Sequence, residues 1–175
     1  MFKKIALGVV ALLVIVLGLA AMQPDTFRVQ RVATIQAPPE KIMPLISDFR
    51  NWPQWSPWEK LDPAMNRQYS GAPQGVGAVY AWNGNKEVGA GRMEITGMTP
   101  PNKVAINLVF LQPFESHCVT DFTLDPRDNG TTVTWTMSGP SNFMTKLMGL
   151  FSSMDSMIGK DFEAGLASMK AAAEK

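Results

Sequence analysis

The sequence predicts an α+β domain in which an antiparallel sheet curls round one long C-terminal helix, with a separate apolar helix ahead of it. Three observations carry this. Ile5 to Met22 is an unbroken apolar run of 18 residues. Six segments between Asn66 and Ser138 alternate with a period of two and are separated by turn signals. Beyond them Leu147, Phe151, Met154, Ile158, Phe162, Leu166 and Met169 recur at steps of three or four, which is one apolar stripe along a helix.

The first run is long enough for a bilayer. At about 1.5 Å per residue it spans roughly 27 Å, close to the hydrocarbon thickness. Lys3 and Lys4 precede it and no basic residue follows until Arg28. Positive charge stays on the cytoplasmic side. The expectation is therefore a single-pass anchor over residues 1–22 in a bacterial inner membrane, with the C-terminal domain in the periplasm. A cleaved signal peptide is the competing reading, with Gly18 and Ala20 as small residues near a junction. The run exceeds the usual apolar length of such signals, and Met22-Gln23-Pro24 is a poor junction. Residues 23–26 read as a linker and 27–175 as one domain.

The chain has 175 residues, of which 46% are hydrophobic and 18% charged, with a net charge of +1. Setting aside Lys3 and Lys4, residues 23–175 carry 14 Lys+Arg against 15 Asp+Glu. That balance excludes a strongly basic nucleic-acid binder. One cysteine, Cys118, excludes an internal disulfide, and with one histidine, His117, it argues against a Cys/His metal site. No cofactor motif is present: the Gly75-Val76-Gly77 and Gly89-Ala90-Gly91 segments open no helix, so they are not phosphate loops.

Each element has a local reason. Phe27 to Ile35 alternates as a strand. Pro38-Pro39 suits the first turn of a short helix whose apolar face is Ile42, Leu45, Ile46 and Phe49. Trp52, Trp55 and Trp58 fall at three-residue spacing among prolines, which predicts a helical turn running into a loop. The strands are expected at Asn66–Ser70, Val76–Trp82, Glu87–Met98, Lys103–Leu111, Glu115–Leu124 and Thr131–Ser138. Gly89, Gly91 and Gly97 mark bulges or close backbone approach in the third of these. Short connections imply an antiparallel meander. The final helix, capped by Ser141 or Asn142, is expected to run unbroken for up to thirty residues or about 45 Å, with Gly149 and Gly159 as possible bends.

A long amphipathic helix must bury its stripe, and the concave face of a twisted sheet is the one partner large enough. A sheet curled round one helix commonly keeps a cavity. Strand parity then selects its lining: Tyr80, Trp82, Met93, Ile106, Leu108, Phe110, Cys118, Thr120, Phe122 and Trp135 from the sheet, with Phe151, Met154 and Ile158 from the helix. Val104, Leu124, Val133, Met137 and Ile95 share those faces. Met144, Met148, Met154 and Met157 are expected to cluster beside the sheet's aromatics, as adaptable apolar side chains. Every one of these residues could equally be ordinary core.

The segments APPEKIMPLISDFRNWPQWSPWE (37–59), GVGAVYAWNG (75–84), GAGRMEITGMTPPNKVAINLVF (89–110), ESHCVTDFTL (115–124) and GTTVTWTMSGP (130–140), in this order, resemble the SRPBCC superfamily. Within it they are most similar to the polyketide cyclase/dehydrase-like proteins, related to the START and Bet v 1-like domains. The resemblance covers about residues 27–172. It implies a helix-grip fold, a seven-stranded antiparallel sheet wrapped round the C-terminal helix, and binding of hydrophobic ligands such as lipids, sterols, polyketides or quinones. Some members are cyclases or dehydratases.

Catalytic chemistry is not visible in the residues. His117 falls on the strand face opposite the proposed cavity. Cys118 points inward with no base beside it, and Arg92 with Glu94 reads as a surface pair. The expected function is therefore a membrane-tethered domain that binds a hydrophobic small molecule or lipid, with no nucleic-acid partner. An enzyme acting on a polyketide-like substrate, or an envelope interaction module that uses the Trp52–Trp58 segment as a surface patch, are the alternatives.

Overall fold

The computed structural model describes residues 2–175. Two elements precede the body of the domain: helix α1 (Phe2–Ala21) and strand β1 (Thr26–Ile35). Next come α2 (Pro39–Ser47), a 3-10 helix (Phe49–Gln54) and α3 (Trp58–Leu61). The strands β2 (Asn66–Gly71), β3 (Ala78–Asn83), β4 (Ala90–Thr99), β5 (Lys103–Gln112), β6 (Ser116–Arg127) and β7 (Gly130–Pro140) follow. Two helices end the chain, α4 (Phe143–Gly149) and α5 (Met154–Ala173).

All seven strands form one antiparallel sheet in the order β1-β7-β6-β5-β4-β3-β2. Consecutive strands pair through short turns, and the long crossover places β1 beside β7 in register from Thr26 opposite Pro140 to Ile35 opposite Thr131. The meander expected from the turn spacing is thus closed by the first strand. The glycines of β4 act as anticipated. The β4–β5 register shifts at Gly91 and again at Gly97, and a side chain at Gly91 would strike the Trp82 ring and the Val109 carbonyl.

Alternation sorts the side chains as expected. On β7 Val133, Trp135 and Met137 are buried while Thr132, Thr134 and Thr136 are half-exposed; on β6 Cys118, Thr120, Phe122 and Leu124 are buried. Helix α5 lies along β1 and buries Phe162, Leu166 and Met169. Each such burial contributes about 1.5–3 kcal/mol by area.

The long helix is not continuous. It breaks at residues 150–153, between α4 and α5. Ser153 caps α5 by accepting from the Ser156 N–H at 3.1 Å, and Ser156 Oγ donates back to the Ser153 carbonyl at 2.7 Å. Serine side chains compete for backbone groups in this way and favour a helix start over a helix interior. Asn142 caps α4, its Oδ1 accepting from the Thr145 N–H at 2.8 Å. The break turns Phe151 outward, where it is 82% exposed. Phe151 therefore does not line the space beneath the helix. Met144, Met148 and Met157 are exposed as well, so of the four clustered methionines only Met154 packs against the sheet.

Candidate functional site

The space between α5 and the sheet has two ends, and one is filled. The proline-punctuated segment after α2 folds back into it. Trp52 Nε1 donates to the Ile46 carbonyl at 3.0 Å and Trp55 Nε1 to the Leu45 carbonyl at 2.7 Å, so both indoles are buried without orphaning their N–H groups. Trp55 and Trp58 meet Trp135 edge-on, at 5.4 and 5.8 Å between centroids, while Phe122 and Phe162 stack on it at 5.0 and 4.0 Å. Trp135 thus sits in a cage of four rings. The Trp52–Trp58 segment is core, with Trp52 and Trp55 buried and Trp58 packed against Trp135 and Phe162, and it forms no surface patch.

A buried polar cluster pins this end to the sheet. Glu59 is only 7% exposed. Its carboxylate accepts from Tyr80 Oη at 2.6 Å and from Arg67 Nε at 2.7 Å. Arg67 also donates to the Met65 carbonyl at 2.8 Å. Burial, then the bond to Glu59, pushes the Tyr80 hydroxyl far above its ordinary pKa, so it is a fixed donor. Tyr80 was expected in the cavity lining; the structure uses it to satisfy a carboxylate. The sequence reading missed Glu59, since no pattern within α3 marks it.

The other end is hollow. A pocket of about 180 Å³ lies where the first turns of α5 pass over the start of β6 and the end of β7. Its apolar lining is Phe27, Phe110, Met137, Met154 and Ile158, with Cys118 at its wall. Phe114, Pro113 and Gln112 of the β5–β6 turn, Ser116 and Thr145 of α4 complete it. Residue size explains the hollow. A Cβ at Gly139 would come within 2.7 Å of Cys118 Sγ and 3.1 Å of the Phe27 ring, so the glycine lets these two lining side chains pack close against β7, and the wall carries a cysteine and a serine where the filled end has indoles.

Cys118 is the one titratable side chain among the lining residues. Burial pushes its thiol up, partly offset by the Ser116 hydroxyl at 3.6 Å. A thiol held neutral with no base is a poor nucleophile. Thr120, two residues along the same strand face, is buried and its Oγ1 has no hydrogen-bond partner in the protein. Such an orphan costs about 1–3 kcal/mol unless something satisfies it. The chemistry available in the pocket itself is apolar contact, since Thr120 is buried behind its wall. His117 lies on the outer face, 3.2 Å from Glu115, and Arg92 pairs with Glu94 at 2.7 Å.

Of the residues read as facing the cavity, the pocket gathers Phe110, Cys118 and Met137 from the sheet and Met154 and Ile158 from the helix. Ile106, Phe122 and Trp135 are solid core, as are Met93, Leu108 and Thr120, and Trp82 is half-buried with its Nε1 bonded to the Val88 carbonyl at 3.0 Å. Phe27, the β5–β6 turn and Thr145 were missed. A larger groove of about 370 Å³ runs past the C-terminal end of α5, but Gln54, Lys60, Ser168, Ala171, Ala172 and Lys175 line it and none of them is buried. It offers an apolar ligand nothing to bury against.

Known proteins place this architecture. A protein from Chromobacterium violaceum superposes with a TM-score of 0.61 at 15% identity, covering 87% of this chain and 99% of its own. The solution structure of the Aha1 dimer from Colwellia psychrerythraea gives 0.60 at 18% identity over 85% and 96%. Major latex-like protein 151 of Panax ginseng gives 0.55 at 16% identity over 86% and 97%. At these identities the likeness shows the fold alone. No curated protein matches the chain. The sequence family described as polyketide cyclase/dehydrase and lipid transport matches residues 26–174, the whole of the sheet and its helices. That match, over most of the chain, shows that this chain belongs to the polyketide cyclase/dehydrase and lipid transport family.

Proposed function

We propose that this protein is a membrane-tethered domain that holds a hydrophobic small molecule or the end of a lipid chain in the pocket between α5 and the sheet. The observation that carries the reading is the unfilled apolar space at Phe27, Phe110, Met137, Met154 and Ile158, in an interior packed with aromatic rings elsewhere. At about 180 Å³ it is comparable to engineered apolar cavities of about 150 Å³ that stay dry and take up benzene. It is smaller than sites for drug-sized ligands, which start near 300 Å³, so it suits a narrow apolar group. The family's lipid-transport description agrees with this class of ligand.

The tether is α1. Beyond Lys3 and Lys4 in its first turn it is apolar, with a mean hydropathy of 2.6 over its best window, and nearly all of it is exposed. A helix with no polar face and no protein cover is stable in lipid and not in water.

Native mass spectrometry of the full chain, released from mild detergent, tests the binding. The expected result is a co-purified apolar adduct that disappears in an Ile158→Trp variant, whose indole fills the pocket. An adduct retained unchanged in that variant, or a wild-type chain without one, would refute the assignment.

A further inference from the structure

We infer that the pocket end of the domain lies flat on the bilayer, with α4 as an interfacial helix, so that the pocket mouth faces lipid. This rests on the reading of α1 as a membrane anchor, and it adds where and how the domain docks.

The geometry begins with the link. Four residues, Met22 to Asp25, separate the end of α1 from the start of β1, and at most about 14 Å can be spanned by that many residues. The link is also tied down. The Ser141 N–H donates to the Asp25 carbonyl at 2.7 Å, and Lys146 of α4 pairs with the Asp25 carboxylate at 2.5 Å. Helix α4 touches α1 directly, and in that helix Ala20 is buried and Val16 half-buried. A helix that packs beside the last turns of a membrane span sits at the level of the headgroups.

The side chains on this end suit that level. Phe143, Met144 and Met148 of α4 are exposed, as are Phe151 in the break, Leu111 at the end of β5 and Phe114 on the β5–β6 turn. Phe114 is 60% exposed. Between residues 143 and 153 the single ionisable side chain is Lys146, and Asp25 already holds it. Soluble monomers seldom expose large apolar side chains in such a group, whereas interfacial helices bury Phe and Leu a few ångströms into the acyl boundary. Phe114 and Thr145 of α4 border the same pocket, so a bilayer against this surface lies against the mouth. An apolar ligand then passes from lipid to pocket without crossing water.

The test uses the full chain in phosphatidylcholine/phosphatidylglycerol vesicles. Single cysteines carrying an environment-sensitive fluorophore replace Leu12, Phe114, Phe151 and Asp128 in turn, in a Cys118→Ala background, and quenching by spin-labelled lipid is measured. Asp128 lies in the β6–β7 turn, at the far end of the strands. The expected result is severalfold stronger quenching at L12C, F114C and F151C than at D128C. Quenching at L12C without quenching at F114C and F151C leaves the anchor standing and overturns the docking. No quenching at L12C removes the anchor and the docking with it. Labels at F114C and F151C that are shielded from water yet unquenched by lipid show a protein covering, a second copy or another chain, and overturn the proposal. Equal quenching at D128C shows unspecific embedding and overturns it too.

Discussion

The two ends of the space beneath α5 share one sheet and one helix, yet one is solid and the other hollow. At the solid end Phe162 stacks on Trp135, Leu166 and Met169 are buried in the same core, and Trp55 meets Phe122 and Trp135 from the side. At the hollow end Met154 and Ile158 are only half-buried above Cys118 and Met137. The difference is not in the pattern of alternation, which runs unchanged along β6 and β7. It lies in what a third segment supplies. The chain after α2 brings three indoles to one end. At the other end the helix breaks at residues 150–153, and the wall side chains Cys118 and Ser116 are small. A curled sheet creates the room, and the size of a few inserted side chains decides whether it becomes core or pocket.

The largest test of this contrast is truncation at each end. Trp135→Ala removes the centre of a four-ring cage and should cost about 3–5 kcal/mol, read from the denaturant midpoint. Met154→Ala borders empty space and is half-exposed, so its cost should stay near 1 kcal/mol. Comparable losses at the two sites would mean that the hollow end closes in solution. Next in size is Glu59→Ala. It leaves the Arg67 guanidinium and the Tyr80 hydroxyl without their shared acceptor in a buried place. Breaking a buried pair in this way costs about 3 kcal/mol or more, and Glu59→Gln, which keeps one acceptor for Tyr80, should recover part of it. Full stability in Glu59→Ala would show that the cluster is not what fixes α3 to the sheet.

How much of this was legible beforehand depends on how local each cause is. The faces of β5, β6 and β7 follow from alternation alone, and Val104, Ile106, Phe122, Val133 and Trp135 are buried as that rule requires. The bulges at Gly91 and Gly97 follow from glycine within a strand. The helical stripe misled at Phe151 because its spacing of four and three runs straight through the break. Periodicity does not register that Ser153 and Ser156 offer the backbone a competing set of hydrogen bonds. Which end stays hollow was not legible. It depends on Trp55 and Trp58 reaching Trp135, about eighty residues away in sequence, a contact that no local rule supplies. Glu59 was hidden for the same reason, although a buried Tyr80 is itself a signal that an acceptor must lie nearby.

The smallest effect concerns the roof of the hollow end, where ion pairs join α5 to β1. Arg31 of β1 reaches Asp155 in the first turn of α5 through two bonds, at 2.6 and 3.0 Å, and Glu163 two turns on at 2.7 Å. Gly159 is buried directly beneath that guanidinium, and any side chain there would displace it. The hydrogen bonds from Arg31 hold the Asp155 carboxyl below its ordinary pKa of 3.8. A folded-state value lowered in this way adds stability that is complete above 3.8 and is lost as pH falls through the lower folded value. The clasp is therefore closed at neutral pH and opens in acid. Both partners are solvent-accessible, so Asp155→Asn should barely move the melting temperature at neutral pH, and should flatten its fall below about pH 4. The local consequence should be larger than the global one. Amide exchange across Met154–Gly159 should rise severalfold in D155N while Phe162–Ala173, seated on the aromatic cage, keeps its protection. If exchange rises equally along the whole of α5, the helix moves as one body, and the hollow end does not owe its looseness to how its roof is held.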